Sequence, residues 1–179
     1  MNDIDYRTAL QRADLIHDNA TLVAAIDRVA HEIDAHLGEE DTIFLPVMQG
    51  GLVFAGQLAT RIRATLEFDY VHATRYRGGT QGGGLVWLRQ PALLLGGRTV
   101  LLADDILDEG TTLKGIRDFC LEQGARRVLI AVLCEKRHGR TVPGIAADFV
   151  GVEVPDRYVF GFGMDYHEHG RNLPGIYAL

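Results

Sequence analysis

Between residues 20 and 37, Leu22, Ile26, Val29, Ala30, Ile33 and Leu37 recur at helical spacing, with Asp27, Arg28, Glu32 and Asp34 on the other side. That pattern predicts a helix with one apolar stripe, capped by Asn19 or Thr21 and ended by Gly38. A short helix over 6–17 is expected before it. Thr42–Met48 is an apolar run too short for a helix, and it predicts a buried strand. Gln49-Gly50-Gly51 breaks that run, and a helix is expected from Leu52 to Arg63. Leu66–Thr74 alternates loosely and predicts a strand, and Val86–Leu88 predicts another. Arg98–Ala103 is the cleanest core strand, followed by a helix over Thr111–Glu122 that Gly124 stops. Arg127–Cys134 is a second buried strand. Strand alternating with helix predicts the α/β class, with a doubly wound, mostly parallel sheet.

The chain has 179 residues, which suits a single domain with a sizeable core. A net charge of -6 argues against a broad nucleic-acid footprint. An anionic ligand must therefore be held by local devices such as helix N-termini, backbone amides, a divalent cation or a few placed arginines and lysines. Cys120 and Cys134 lack metal spacing and lie in apolar surroundings, as buried reduced thiols do. No apolar run reaches the ~18 residues of a membrane span, and the first ten residues do not read as a signal peptide. The cytoplasm is the expected location, with no membrane partner.

Residues 75–84 carry five glycines and almost nothing to bury, which predicts a loop acting as a lid rather than a plain connector. The chemistry concentrates in Val100–Leu113. There an apolar strand is expected to deliver Asp104 and Asp105 at its carboxyl end, ahead of Asp108, Glu109 and a helix opened by Gly110-Thr111-Thr112. Ligands of open α/β sheets bind beyond the carboxyl ends of strands. Free amides at a helix start, two hydroxyls and a glycine make a phosphate cradle. Clustered carboxylates repel one another, and ribose hydroxyls with Mg2+ would offset this. A polar loop capping the next helix is the bland alternative.

Val100–Leu113 resembles the phosphoribosyl pyrophosphate (PRPP) motif of the type I phosphoribosyltransferases. Lys136-Arg137, Pro155–Val159 and Gly161–Arg171 extend the likeness to the hypoxanthine-guanine phosphoribosyltransferases, from about Thr42 to Arg171. The resemblance implies a core over about 20–150, with a small hood from about 1–18 and 151–179. It implies ribose-phosphate binding by Asp104, Asp105, Asp108, Glu109, Gly110, Thr111 and Thr112, with Asp108 as catalytic base. Pyrophosphate falls to Gln49, Gly50, Arg75, Tyr76 and Arg171. The purine falls to Lys136, Tyr158, Val159 and Asp165, and Mg2+ to Asp104, Asp105 and Asp165. A strained cis peptide at Met48–Gln49 is also implied. Three positions depart from the family: Glu109 replaces Thr or Ser, Gln49 replaces Lys, and Arg75 replaces Ser.

The implied reaction is purine salvage, in which a 6-oxopurine displaces pyrophosphate from PRPP. The expected partners are these small molecules and further copies of the chain in a homodimer or homotetramer, with no nucleic acid. Xanthine preference, a pyrimidine enzyme, a non-catalytic PRPP-binding regulator and a receiver-type signalling domain are the competing readings.

Overall fold

A computed structural model describes residues 5–75 and 85–179. Helix α1 (Tyr6–Arg12) is capped by the Asp5 carboxylate, which accepts from the Arg7 and Thr8 amides. The helix expected over 6–17 stops there, because Asp14–His17 forms strand β1 and pairs with the last strand of the chain. Helix α2 (Asn19–Leu37) buries the predicted stripe. Its cap is Asp18, not Asn19 or Thr21, and the Asp18 carboxylate accepts from the Thr21 amide at 2.8 Å. Strand β2 (Thr42–Met48) follows as predicted. Helix α3 (Leu52–Ala59) is shorter than expected. The α2 residue Asp34 takes the Arg63 and Ala64 amides at 2.8 and 3.0 Å, and the chain leaves the helix to reach it.

Two strands, β3 (Leu66–Phe68) and β4 (Val71–Arg75), replace the one expected over Leu66–Thr74. The break falls at Asp69, whose carboxylate accepts from the Ala92 and Leu93 amides. Strand β5 (Leu85–Arg89) runs antiparallel to β4. Next come β6 (Thr99–Leu107), α4 (Thr111–Glu122), β7 (Arg127–Lys136) and β8 (Phe149–Val154). The chain closes with β9 (Val159–Phe160) and β10 (Ile176–Ala178).

The main sheet has the order β5-β4-β2-β6-β7-β8, with β3 also on β2, and only β5 is antiparallel. Alternate residues of each central strand face opposite layers. Ile43, Leu45, Val100, Leu102, Ile130 and Val132 pack with Leu113, Ile116 and Cys120 of α4. Phe44, Leu101, Ala103, Leu129 and Leu133 pack with apolar residues of α2 and α3. Burial on both faces explains why these strands read as unbroken apolar runs. A second sheet, β1-β10-β9, joins the two terminal segments. Both cysteines are buried and free, and burial pushes the Cys120 thiol up to about 12. Among the described residues no helix is long and apolar enough to cross a membrane.

The chain leaves β2 for β4 on one side and later returns to β6 on the other, so β2 and β6 flank the point where strand order reverses. A crevice opens there at the carboxyl ends of the strands. Truncation of the fully buried Leu102 to alanine is expected to cost about 2–5 kcal/mol in urea unfolding. Leu94→Ala, at a residue 88% exposed, is expected to stay within about 0.5 kcal/mol of the parent.

Candidate active site

The crevice holds a cavity of about 240 Å³ walled by Met48, Gly50, Asp104, Asp105, the 108–113 segment and Arg171. A larger hollow of about 450 Å³ beside Leu94 and Phe119 has no charged side chain in its wall, so it offers nothing to hold an anion. Strand β6 does not end before the acids as expected. Asp104 pairs with Val132 and Leu107 with Glu135, so both carboxylates lie within the ladder. The ladder uses only backbone groups, and polar side chains facing the crevice do not interrupt it. Beyond Glu109, Gly110 takes φ 77°, and a Cβ there would meet Ile145 and Leu107 at 2.7 and 2.9 Å. Glycine is therefore required at this turn. Gly110 gives α4 no side-chain cap, and Thr111 and Thr112 line the cavity at the positive end of the helix dipole.

Asp104 and Asp105 are held against their charge. Burial and then the neighbouring Asp105 push the Asp104 carboxyl well above the usual carboxylate range. Burial also raises Asp105, and the Asp104 contact and the Arg171 charge offset this in part. The turn after β2 presses on Asp105: a Cβ on Gly50 would stand 1.9 Å from its Oδ2. The Met48–Gln49 peptide is cis, and the Gln49 side chain is exposed.

Asp108 sits at the mouth between two donors. Lys136 Nζ donates to Oδ2 at 2.7 Å and His138 Nε2 lies 2.5 Å from Oδ1. Burial works to raise its carboxyl, but these donors outweigh it and hold the group below the usual range.

The far wall comes from the segment after β8. Arg171 donates to the Gly163 carbonyl at 2.8 Å and pairs with Asp165 at 2.7 Å. Asp165 also accepts from the Glu168 amide. Among the described residues no three His, Cys, Asp or Glu side chains are gathered to hold a metal, so Asp165 does not join Asp104 and Asp105 in a ready-made cluster. The Tyr158 ring is half-exposed, edge-on to Tyr166, and its hydroxyl donates to the Asp165 carbonyl at 3.2 Å. Val159 is paired with Ala178. Arg75 ends β4, its side chain lies outside the described residues, and so do Tyr76 and the rest of the loop expected to act as a lid.

Residues 12–169 match the phosphoribosyl transferase domain family. The chain belongs to this family. A hypoxanthine-guanine phosphoribosyltransferase of Streptococcus pneumoniae is 34% identical over 164 residues, covering 91% of this chain and 89% of the relative. A solved hypoxanthine phosphoribosyltransferase of Staphylococcus aureus is similar with a TM-score of 0.89 at 25% identity, over 99% of this chain and 96% of the other. A hypoxanthine-guanine phosphoribosyltransferase of Bacillus anthracis gives a TM-score of 0.84 at 25% identity, over 92% and 96%.

In this phosphoribosyltransferase the cavity wall thus brings together Gly50, Asp104, Asp105, Asp108, Glu109, Gly110, Thr111, Thr112 and Arg171. Lys136 reaches it through Asp108, while Gln49, Tyr158, Val159 and Asp165 lie outside that wall. Sequence reasoning missed His138 and Arg140. A lone histidine after a strand carries no periodic signal, and only its place two residues beyond Lys136 pointed to it.

Because the folded protein raises the Asp104 carboxyl, it binds that proton more tightly than the unfolded chain does. Stability should therefore grow as pH falls through the folded value and be diminished above it. Asp104→Asn is expected to raise the melting temperature at neutral pH and to weaken PRPP binding in calorimetry. The gain in melting temperature should vanish in acid, where the parent is already protonated.

Proposed function

We propose that this phosphoribosyltransferase carries the 5-phosphoribosyl group of PRPP to a 6-oxopurine, hypoxanthine or guanine, giving the nucleotide and pyrophosphate. The observation that carries this reading is the single cavity in which the acids of β6 face the uncapped start of α4. A sugar diol fits the first and a 5'-phosphate the second. The names of the similar proteins support the choice of base.

In this reading the amides of 110–113 and the Thr111 and Thr112 hydroxyls take the 5'-phosphate, and Asp104 and Asp105 take the ribose hydroxyls. Glu109 contributes backbone to this loop, since its carbonyl accepts from the Val142 amide at 2.9 Å. Gly50, Gln49 and Arg171 face the pyrophosphate, with Arg75 and Tyr76 as further candidates from the loop. Lys136 has N–H groups beyond the one given to Asp108 and donates to the 6-oxo group. Tyr158 offers a ring face to the purine plate, and the Val159 carbonyl accepts from a 2-amino group.

Two adjacent carboxylates costly to leave charged suit Mg2+, which takes one or two protein acids and fills its shell from substrate oxygens and water. Asp104 and Asp105 would hold it, with Asp165 near the base edge, and it would supply charge neutralisation at the leaving pyrophosphate. The purine N9 bonds to C1' as the C1'–O bond breaks, and that electron pair leaves on pyrophosphate. The N7 proton passes to Asp108, whose depressed carboxyl is ionised and ready at neutral pH. A homodimer or homotetramer in the cytoplasm completes the proposal.

The test is to mix the protein with PRPP, Mg2+ and, separately, hypoxanthine, guanine, xanthine, adenine and uracil, and to follow nucleotide formation. No product from any oxopurine overturns the reading, and xanthine alone moves it to a xanthine enzyme. Asp108→Asn is expected to lower kcat by about 10²–10⁴-fold with PRPP affinity little changed. Lys136→Ala is expected to cut the kcat/KM preference for hypoxanthine over adenine by about tenfold or more, the discrimination carried by one hydrogen-bonded group.

A further inference from the structure

The imidazole of His138 is all but buried, with 2% of its side chain exposed. Nδ1 accepts from the Arg140 amide at 3.0 Å, so Nδ1 carries a lone pair and the ring proton sits on Nε2. Nε2 therefore donates to Asp108 Oδ1 at 2.5 Å, while Lys136 Nζ holds Oδ2 at 2.7 Å. The loop that carries the ring is itself tied down. Arg140 forks onto the Asp156 carboxylate at 2.8 and 2.6 Å, and the Val142 amide donates to the Glu109 carbonyl at 2.9 Å. The Asp108 side chain is 40% exposed, so little besides these donors fixes its carboxylate.

We propose that His138 is a positioning residue for phosphoribosyl transfer: with its tautomer set by the Arg140 amide, it pins one oxygen of Asp108 and presents the other to the purine proton. The inference rests on the reading of Asp108 as the base. When Lys136 turns part of its donor set to the 6-oxo group, Oδ1 stays anchored and the carboxylate does not swing toward water. His138 holds and does not relay, because a proton on Nδ1 would face the Arg140 N–H donor to donor. The charged and titratable groups around the carboxylate are Lys136 at the end of β7 and His138 just past it, Glu109 beside it, and Arg140 with Asp156 across the loop. Loss of the His138 donor removes one of the contacts that hold the Asp108 carboxyl down.

Two neutral replacements separate the two contacts of the ring. In His138→Gln the amide nitrogen stands near the place of Nε2 and keeps the donor to Asp108. In His138→Asn the amide oxygen stands near Nδ1 and keeps only the Arg140 contact. Steady-state kinetics with PRPP and hypoxanthine are expected to give His138→Gln a kcat within about threefold of the parent. His138→Asn should lose about tenfold to a hundredfold in kcat, the worth of a hydrogen bond to a charged group, with KM for PRPP little changed. The acid limb of its kcat–pH profile should move to higher pH, and that of His138→Gln should not. Equal behaviour of Asn and parent, or of Asn and Gln, overturns the proposal. Ring ¹⁵N NMR of the unaltered protein needs no variant: an Nδ1–H tautomer overturns the proposal even if His138→Asn fails to fold. Full activity in Asp108→Asn sinks the underlying reading, whereas activity that needs Asp108 and ignores His138 sinks this inference alone.

Discussion

Two neighbouring carboxylates in a place poor in water are the constraint around which this molecule is arranged. Asp104 and Asp105 cannot both be comfortably ionised there, because burial raises both carboxyls and the Asp105 charge raises Asp104 further. The fold holds them in place by building them into a nine-residue strand fixed between β2 and β7. The surrounding layers of α2, α3 and α4 make that strand the most completely buried element of the sheet. The core thus holds the acids in an arrangement that a short loop would relax, at a cost in charge that burial imposes.

The opposite sign is supplied without net positive charge. An uncapped helix start, a glycine in the left-handed region and one arginine face the acids across the cavity. An acidic protein can in this way receive a highly anionic ligand, since backbone dipoles act locally and leave the net charge of -6 in place.

Legibility in the sequence followed the range of the forces involved. Thr42–Met48 and Thr111–Glu122 were read to the residue, because burial on two faces or on one stripe leaves its mark within the segment. The segments 6–17 and 66–74 were misread because remote partners decide them: β10 claims Asp14–His17, and Asp69 breaks the other to cap Ala92 and Leu93. That 104–112 forms one side of a cavity was legible since it is one contiguous run. Lys136, Tyr158 and Asp165 were named only through the family resemblance, and His138 was missed, because isolated residues joined by long-range contacts such as those of Lys136 and His138 with Asp108 leave no periodic signal. The shared face of Asp165 and Arg171 is of the same kind, an ion pair formed by two tight turns with left-handed backbone at Phe162, His167 and Glu168.

The small sheet has a temporal consequence. Strand β9, which carries Val159 next to Tyr158, is hydrogen-bonded to β10, and β10 in turn to β1. A nascent chain that has exposed β1 to β9 outside the ribosome still has no partner for either edge of that sheet. The parallel core can close during synthesis, since domains fold as their segments emerge, but the small sheet must wait for translation to pass residue 178. The segment around Tyr158 and Val159 is thus fixed late, after the strand that carries Asp104 and Asp105 has already emerged.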